Sequence, residues 1–172
     1  MRIAILSDIH DHLSELKRIL NKVSGCEALL CLGDLCAPFT LLALAAGFVG
    51  PIHVVWGNND GDKLLLTTVA AKVGERLTLH GDYAFFSLGG RAIAMTHYPP
   101  LANALAAGQQ HDLVCHGHDH ERKLTWVGRT LLLDPGEVMG RFGVSSYAIY
   151  DTDTGQAEII EYPASRRRVR PA

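Results

Sequence analysis

Apolar and polar positions follow two different periods along this chain, and the change of period marks its elements. Residues 2–6, "RIAIL", form a short apolar run that predicts a strand. The next stretch, "HLSELKRILNKV", places Leu13, Leu16, Ile19, Leu20 and Val23 at helical spacing. "ALLCL" predicts a buried strand, "TLLALAAGF" a helix and "IHVVW" a strand. "DKLLLTTVAAKV" predicts a further helix, with Asp60 as its N-cap. The pattern then changes to short strands, "RLTLH", "YAFFSL" and "AIAMT", separated by Gly-containing turns. A short helix, "LANALAAG", precedes "DLVCH". The remainder reads as β: "KLTWV", "TLLLD", "SYAIYD" and "AEIIEY", the last two joined by the turn "TDTG".

Strands alternating with helices imply a parallel core, and the later hairpins imply a second sheet. The expected class is therefore α/β, with two stacked sheets and helices on both outer faces. At 172 residues, 48% hydrophobic and 20% charged, the chain suits one globular domain. No repeat or linker divides it. The run from Phe39 to Trp56 approaches membrane-spanning length, but Gly50-Pro51 splits it into a buried helix and a strand.

Charge is uneven. Arg166, Arg167, Arg168 and Arg170 follow every acidic residue, so residues 1–163 carry 12 basic against 18 acidic side chains. An acidic body provides no dedicated nucleic-acid surface. The expected division is a domain over residues 1–162 and a solvated basic tail over 163–172 that is dispensable for chemistry. The four cysteines show no C-x-x-C spacing, which argues against a disulfide framework or a zinc knuckle. The apolar stretch before Ser7 is too short for a signal-peptide core. These features predict a soluble, cytoplasmic protein in a reducing compartment, with no membrane role and with room for homo-oligomerisation.

The polar residues that end the apolar runs carry the chemistry. "IAIL" leads into Ser7-Asp8-Ile9-His10, "LLCL" into Gly33-Asp34, and "HVVW" into Gly57-Asn58-Asn59-Asp60. "AIAM" leads into Thr96-His97, and "LVC" into His116-Gly117-His118-Asp119-His120. In open α/β sheets the ligand crevice lies outside the carboxyl ends of the strands, so five segments would deliver side chains to one rim. Alternation along extended chain would aim Asp8 with His10 and His118 with His120. Gly33, Gly57 and Gly117 would permit the turns that aim the residues after them. Any one of these segments alone reads as an ordinary turn. Five in matched places point to a metal cage, because carboxylates and imidazoles buried together without a cation are costly.

In their order, "SDIH", "GD", "GNND", "TH" and "GHDH" resemble the boxes of the calcineurin-like metallophosphoesterases, closest to their small single-domain YfcE-like branch. The similarity continues through "HERK" and "LLLDPGEVMG", over about residues 1–162. The resemblance implies a four-layer αββα sandwich. It implies one metal held by Asp8, His10, Asp34 and His120, and another by Asp34, Asn58, His97 and His118, with Asp34 bridging. His116 lies one position before the box and takes no ligand role. The implied cofactor is a pair of divalent ions, manganese first, with nickel, iron, cobalt or zinc also suited to these donors. The implied reaction is hydrolysis of a small phosphodiester by in-line attack of a hydroxide held between the metals.

Two positions depart from the family pattern. Many relatives have His where this chain has Asn59, and an amide cannot act as a general acid. Protonation of the leaving oxygen would fall to His12 or a water. "THYPP" replaces a glycine after the ligand His, and Tyr98 would narrow that rim. The competing readings are an interaction scaffold on the same fold, as in the retromer subunit it resembles, and a nuclease. The intact ligand set favours the enzyme, and the acidic body argues against the nuclease.

Overall fold

In the computed structural model, which describes residues 1–165, the chain forms eleven strands and four helices. The first sheet contains β1 (Arg2–Leu6), β2 (Ala28–Cys31), β3 (Ile52–Val54), β4 (Leu77–Leu79), β10 (Val144–Asp151) and β11 (Gln156–Pro163). Its order is β11-β10-β1-β2-β3-β4, with β1 to β4 parallel and the last hairpin added antiparallel. The second sheet contains β5 (Tyr83–Leu88), β6 (Arg91–Thr96), β7 (Leu113–Cys115), β8 (Arg122–Val127) and β9 (Thr130–Pro135). Its order is β5-β6-β7-β9-β8, with a parallel centre and antiparallel edges.

Three buried layers explain the stacking. Helices α1 (Leu13–Lys22), α2 (Pro38–Gly47) and α3 (Lys63–Val73) cover the outer face of the first sheet. There Leu16, Ile19, Leu41, Leu44 and Leu66 pack on Ala4, Leu6, Leu29, Ile52 and Val54. Between the sheets, Ile3, Ile5, Leu30 and Tyr150 meet Ile93, Met95, Leu113 and Leu133. Helix α4 (Pro99–Ala107) seals the far face with Ala102 and Ala106 against Ala94, Val114 and Leu132. The result is the expected αββα sandwich, and β1, β2, β3, β6 and β7 all end at the same rim.

Several boundaries differ from the sequence expectation, each for a local reason. Helix α3 is capped by Asp62, whose carboxylate accepts from the Leu65 N–H at 3.0 Å, rather than by Asp60. Helices α2 and α4 start earlier than expected, because a proline suits the first helical turn. Strand β11 runs through Pro163, and the Ala164 N–H donates to the Gly143 carbonyl at 2.9 Å. The folded unit thus extends past residue 162. The arginine-rich stretch itself lies outside the described residues.

Candidate metal centre

The polar rim is built on unusual backbone. Asp8, His10, Asp34, His118 and His120 all have positive φ, between 44° and 80°. Each such non-glycine residue costs roughly 1–3 kcal/mol and persists only where its surroundings hold it. The alternation expected for Asp8/His10 and His118/His120 is therefore not what aims them: left-handed turns do. Interlocking backbone bonds hold the first turn, with Asp8 N–H donating to the Gly33 carbonyl at 3.2 Å and His10 N–H to the Asp34 carbonyl at 2.9 Å. Of the three rim glycines, only Gly33 has positive φ. A Cβ at Gly57 would collide with the Asp34 carboxylate, and one at Gly117 with Ser7. Those two positions need close approach rather than a special dihedral.

These turns bring all seven predicted ligands together. His10 Nε2 lies 3.6 Å from Asp8 Oδ1 and 3.5 Å from Asp34 Oδ2, and His120 Nε2 lies 3.4 Å from Asp8 Oδ1. On the other side, His97 Nε2 is 3.6 Å from Asp34 Oδ2 and 3.0 Å from Asn58 Oδ1. His118 Nδ1 is 2.9 Å from Asn58 Oδ1 and 3.3 Å from His97 Nε2. Donor atoms about 2.1 Å from a shared cation stand about 3.0–3.4 Å from one another in octahedral or tetrahedral arrangement. The observed spacings, 2.9–3.6 Å, span that range and exceed it slightly at either end. Asp8, His10 and His120 make one compact group, and Asp8, Asp34 and His97 another.

The unpaired atoms point the same way. Asp8 Oδ1 and His10 Nε2 are buried without a hydrogen-bond partner. Burial pushes the Asp8 carboxyl up, but His10, the Ser7 hydroxyl, His97 and His120 around it outweigh that effect and hold it below its usual range. A carboxylate kept ionised and partly unpaired in a buried site fits a cation.

The two predicted catalytic residues sit beside this group. The Asn59 N–H and side-chain amide both donate to Asp34, at 2.8 and 2.6 Å. His12 caps α1, its Nδ1 accepting from the Glu15 N–H at 3.4 Å. Both line a cavity of about 660 Å³ that opens onto His10 and His120. Its opposite wall is Met139, Gly140, Arg141, Gly143, Ala164 and Ser165. Tyr98 caps α4 without a side-chain bond and stands edge-on to His97. His116 is buried 3.4 Å from Asp134, with its Nε2 unpartnered. Burial lowers the His116 imidazole and raises the Asp134 carboxyl to about 8, so burial disfavours charge on both partners.

Three supporting residues escaped the sequence reading. Asp60, buried, accepts from the Asp34 and Gly57 N–H groups on one oxygen and from Cys36 N–H on the other, tying two strand ends together. Its signal was its place in "GNND", where it reads as a helix cap. Glu137 lies 2.5 Å from His120 Nδ1, and Glu15 gathers Arg18, Ser145 and Ser165. Each has local partners, but the contacts that tie it to the site or across the fold, such as Glu137 to His120 and Glu15 to Ser145 and Ser165, come from residues distant in sequence.

The family model of the calcineurin-like phosphoesterase superfamily domain matches residues 1–155. The chain belongs to that superfamily. It is thus a phosphoester hydrolase by family, and the family implies divalent metal ions. It is 28% identical over 163 residues to the phosphodiesterase MJ0936 of Methanocaldococcus jannaschii, covering 89% of this chain and 94% of that protein. Its fold matches a solved archaeal phosphodiesterase with a TM-score of 0.87, at 26% identity over 94% of this chain and all of the other. Vps29 of Entamoeba histolytica shares the fold alone, with a TM-score of 0.66 and 18% identity over 94% of this chain and 99% of its own.

Proposed function

We propose that this protein is a phosphodiesterase that uses two divalent metal ions to hydrolyse a small phosphodiester. The observation that carries the proposal is the convergence of seven donor side chains from five strand ends, with Asp34 Oδ2 about equally far from His10 Nε2 and His97 Nε2. Asp8, His10, Asp34 and His120 would hold one ion, and Asp34, Asn58, His97 and His118 the other. Divalent cations supply Lewis acidity toward phosphoryl oxygens and a nucleophile at neutral pH, and manganese is among the metals that suit this mixed oxygen and imidazole donor set. Asn59 aims the shared carboxylate. His12 presents its ring to the cavity where a leaving group would lie. A cavity of about 660 Å³ accommodates a small diester, within the size common for ligand pockets. Likeness to archaeal phosphodiesterase supports the diester over the monoester.

No helix among the described residues is long and apolar enough to cross a membrane. The four cysteines are unpaired, in keeping with a reducing, cytoplasmic setting. A second reading, an interaction module, draws support from exposed Phe39 and Leu42 on α2 and Leu64 and Leu65 on α3. The deciding experiment strips the protein of metal and restores manganese, nickel, iron, cobalt and zinc one at a time. Each form is assayed on phosphomonoesters and phosphodiesters, with bound metal counted. Two ions per chain and turnover of diesters are expected. Stoichiometric binding without turnover of any ester would favour the interaction module.

A further inference from the structure

Glu137 is almost fully buried, and among the described residues its side chain has no lysine or arginine partner. Both of its oxygens are nonetheless used. Oε2 lies 2.5 Å from His120 Nδ1, and Oε1 accepts the Arg141 N–H at 2.5 Å. Its backbone is fixed too, with the Ser146 N–H donating to its carbonyl at 2.9 Å. One carboxylate therefore joins an imidazole of the donor cluster to the loop that forms the opposite wall of the cavity.

We propose that Glu137 is a positioning residue that makes metal capture and ordering of the Met139–Gly143 loop one event. This rests on the two-metal reading of the site. The chemistry begins at His120. With its Nδ1 proton directed at Glu137, His120 keeps the Nε2 lone pair toward Asp8 Oδ1, 3.4 Å away, where a cation would bind. A carboxylate behind a ligand histidine fixes the ring's tautomer and orientation and strengthens it as a donor. The loop is joined at its start as well: Val138 N–H donates to the Ser7 carbonyl at 3.0 Å and Met139 N–H to the Asp8 carbonyl at 3.1 Å. Gly140, at φ +63°, lies so close to Ala164 and Ser145 that a Cβ would collide with both. A loop tied to Asp8 at one point and to His120 at another can settle only when those two residues share their final geometry. The bland alternative is a buried carboxylate that merely caps a turn. That alternative leaves metal binding and the His120 tautomer untouched.

Glu137→Gln separates the two. A glutamine of the same shape has one acceptor oxygen and one donor nitrogen, and both of its neighbours are N–H groups. Metal-stripped wild type and variant are titrated with manganese by calorimetry. Nitrogen NMR reads the His120 tautomer in the metal-free protein, and hydrogen exchange follows the Arg141 amide with and without manganese. The expected result is an affinity loss of about 10–100-fold for at least one ion. His120 should be the Nδ1–H form in wild type and mixed in the variant. Manganese should slow Arg141 exchange in wild type and much less in the variant. Unchanged affinity and tautomer in the variant would overturn the role assigned to Glu137, and Arg141 exchange indifferent to manganese in wild type would overturn the coupling. Wild type that binds no divalent ion would sink the two-metal reading itself, a distinguishable outcome. Should Glu137→Gln fail to fold, Glu137→Asp decides by the same readouts, since its carboxylate is too short to reach both partners.

Discussion

Asn59 holds both carboxylate oxygens of Asp34, its backbone N–H on Oδ1 at 2.8 Å and its side-chain amide on Oδ2 at 2.6 Å. Asp34 Oδ2 also lies 3.5 Å from His10 Nε2 and 3.6 Å from His97 Nε2. The contact thus aims a carboxylate that lies between His10 and His97. Asn59→Ala keeps the backbone bond and loses the amide. Its affinity for manganese should fall about 10–100-fold, the range typical of a lost outer partner. Calorimetry on metal-stripped protein checks this, and wild-type affinity in the variant would make the contact incidental.

Asp34→Asn should be worse than any single histidine substitution in the cluster. It removes the charge that both halves share, and its amide would turn a donor toward the Asn59 amide. Metal content and diester turnover, compared with His10→Ala and His97→Ala, test the ranking. Full occupancy and turnover in Asp34→Asn would remove the bridging assignment.

The order of strands and the identity of the rim residues were readable because each apolar run ends in a polar residue. The way those residues converge was not. Alternation predicted that Asp8 and His10 point together, yet both sit on left-handed backbone, which Asp and His adopt more often than most residues but still too rarely for a sequence to place it. Asp60 reads as a helix cap because Asp is common there, but its partners, Asp34 and Cys36, lie more than twenty residues away. Glu137 and Glu15 were silent in part for the same reason: besides a near partner in sequence, each is held by distant ones, His120 for Glu137 and Ser145 and Ser165 for Glu15.

The chain end shows how this changes an expectation. Ser165 donates its N–H to Glu15 at 2.7 Å and its hydroxyl to the same oxygen, while Arg18 reaches the Pro163 carbonyl at 3.1 Å. Glu15 is fully buried. Ending the chain after Ser165 should leave both stability and turnover on a small diester unchanged. Ending it after Tyr162 removes donors from a buried carboxylate and should cost about 1–3 kcal/mol. Thermal melting and steady-state rates of the two truncations separate these outcomes. Equal behaviour would show that the Ser165 contacts carry nothing.

Asp134 gives a pH signature. Burial raises its carboxyl to about 8 in the folded protein, against about 3.9 in an unfolded chain. A raised folded value means the stabilising contribution is complete below the unfolded value and is lost as pH rises through the folded one. The stability of metal-free protein should therefore fall between about pH 4 and pH 8 through this residue. Asp134→Asn mimics the neutral form and should flatten that part of the curve. Denaturant midpoints measured across the window decide it, and parallel curves for the two proteins would place the ionised form inside the fold.

The supply of a proton to the leaving oxygen is the sharpest question about catalysis. With Asn59 engaged on Asp34, His12 is the titratable side chain outside the donor cluster that lines the cavity. Its Nδ1 accepts from the Glu15 N–H, so the ring can become a donor at both nitrogens only by giving up that cap. The structure therefore favours chemistry without a positioned acid. Such an acid typically contributes about 10²–10⁴-fold. Its absence should appear as a steep fall in rate as leaving-group basicity rises, with aryl or nucleotide-like groups preferred over alkoxides. His12→Asn keeps an acceptor for the helix cap and removes the imidazole, so it should leave that slope unchanged. A shallow slope in wild type that steepens in His12→Asn, measured where chemistry limits the rate, would instead make His12 the acid.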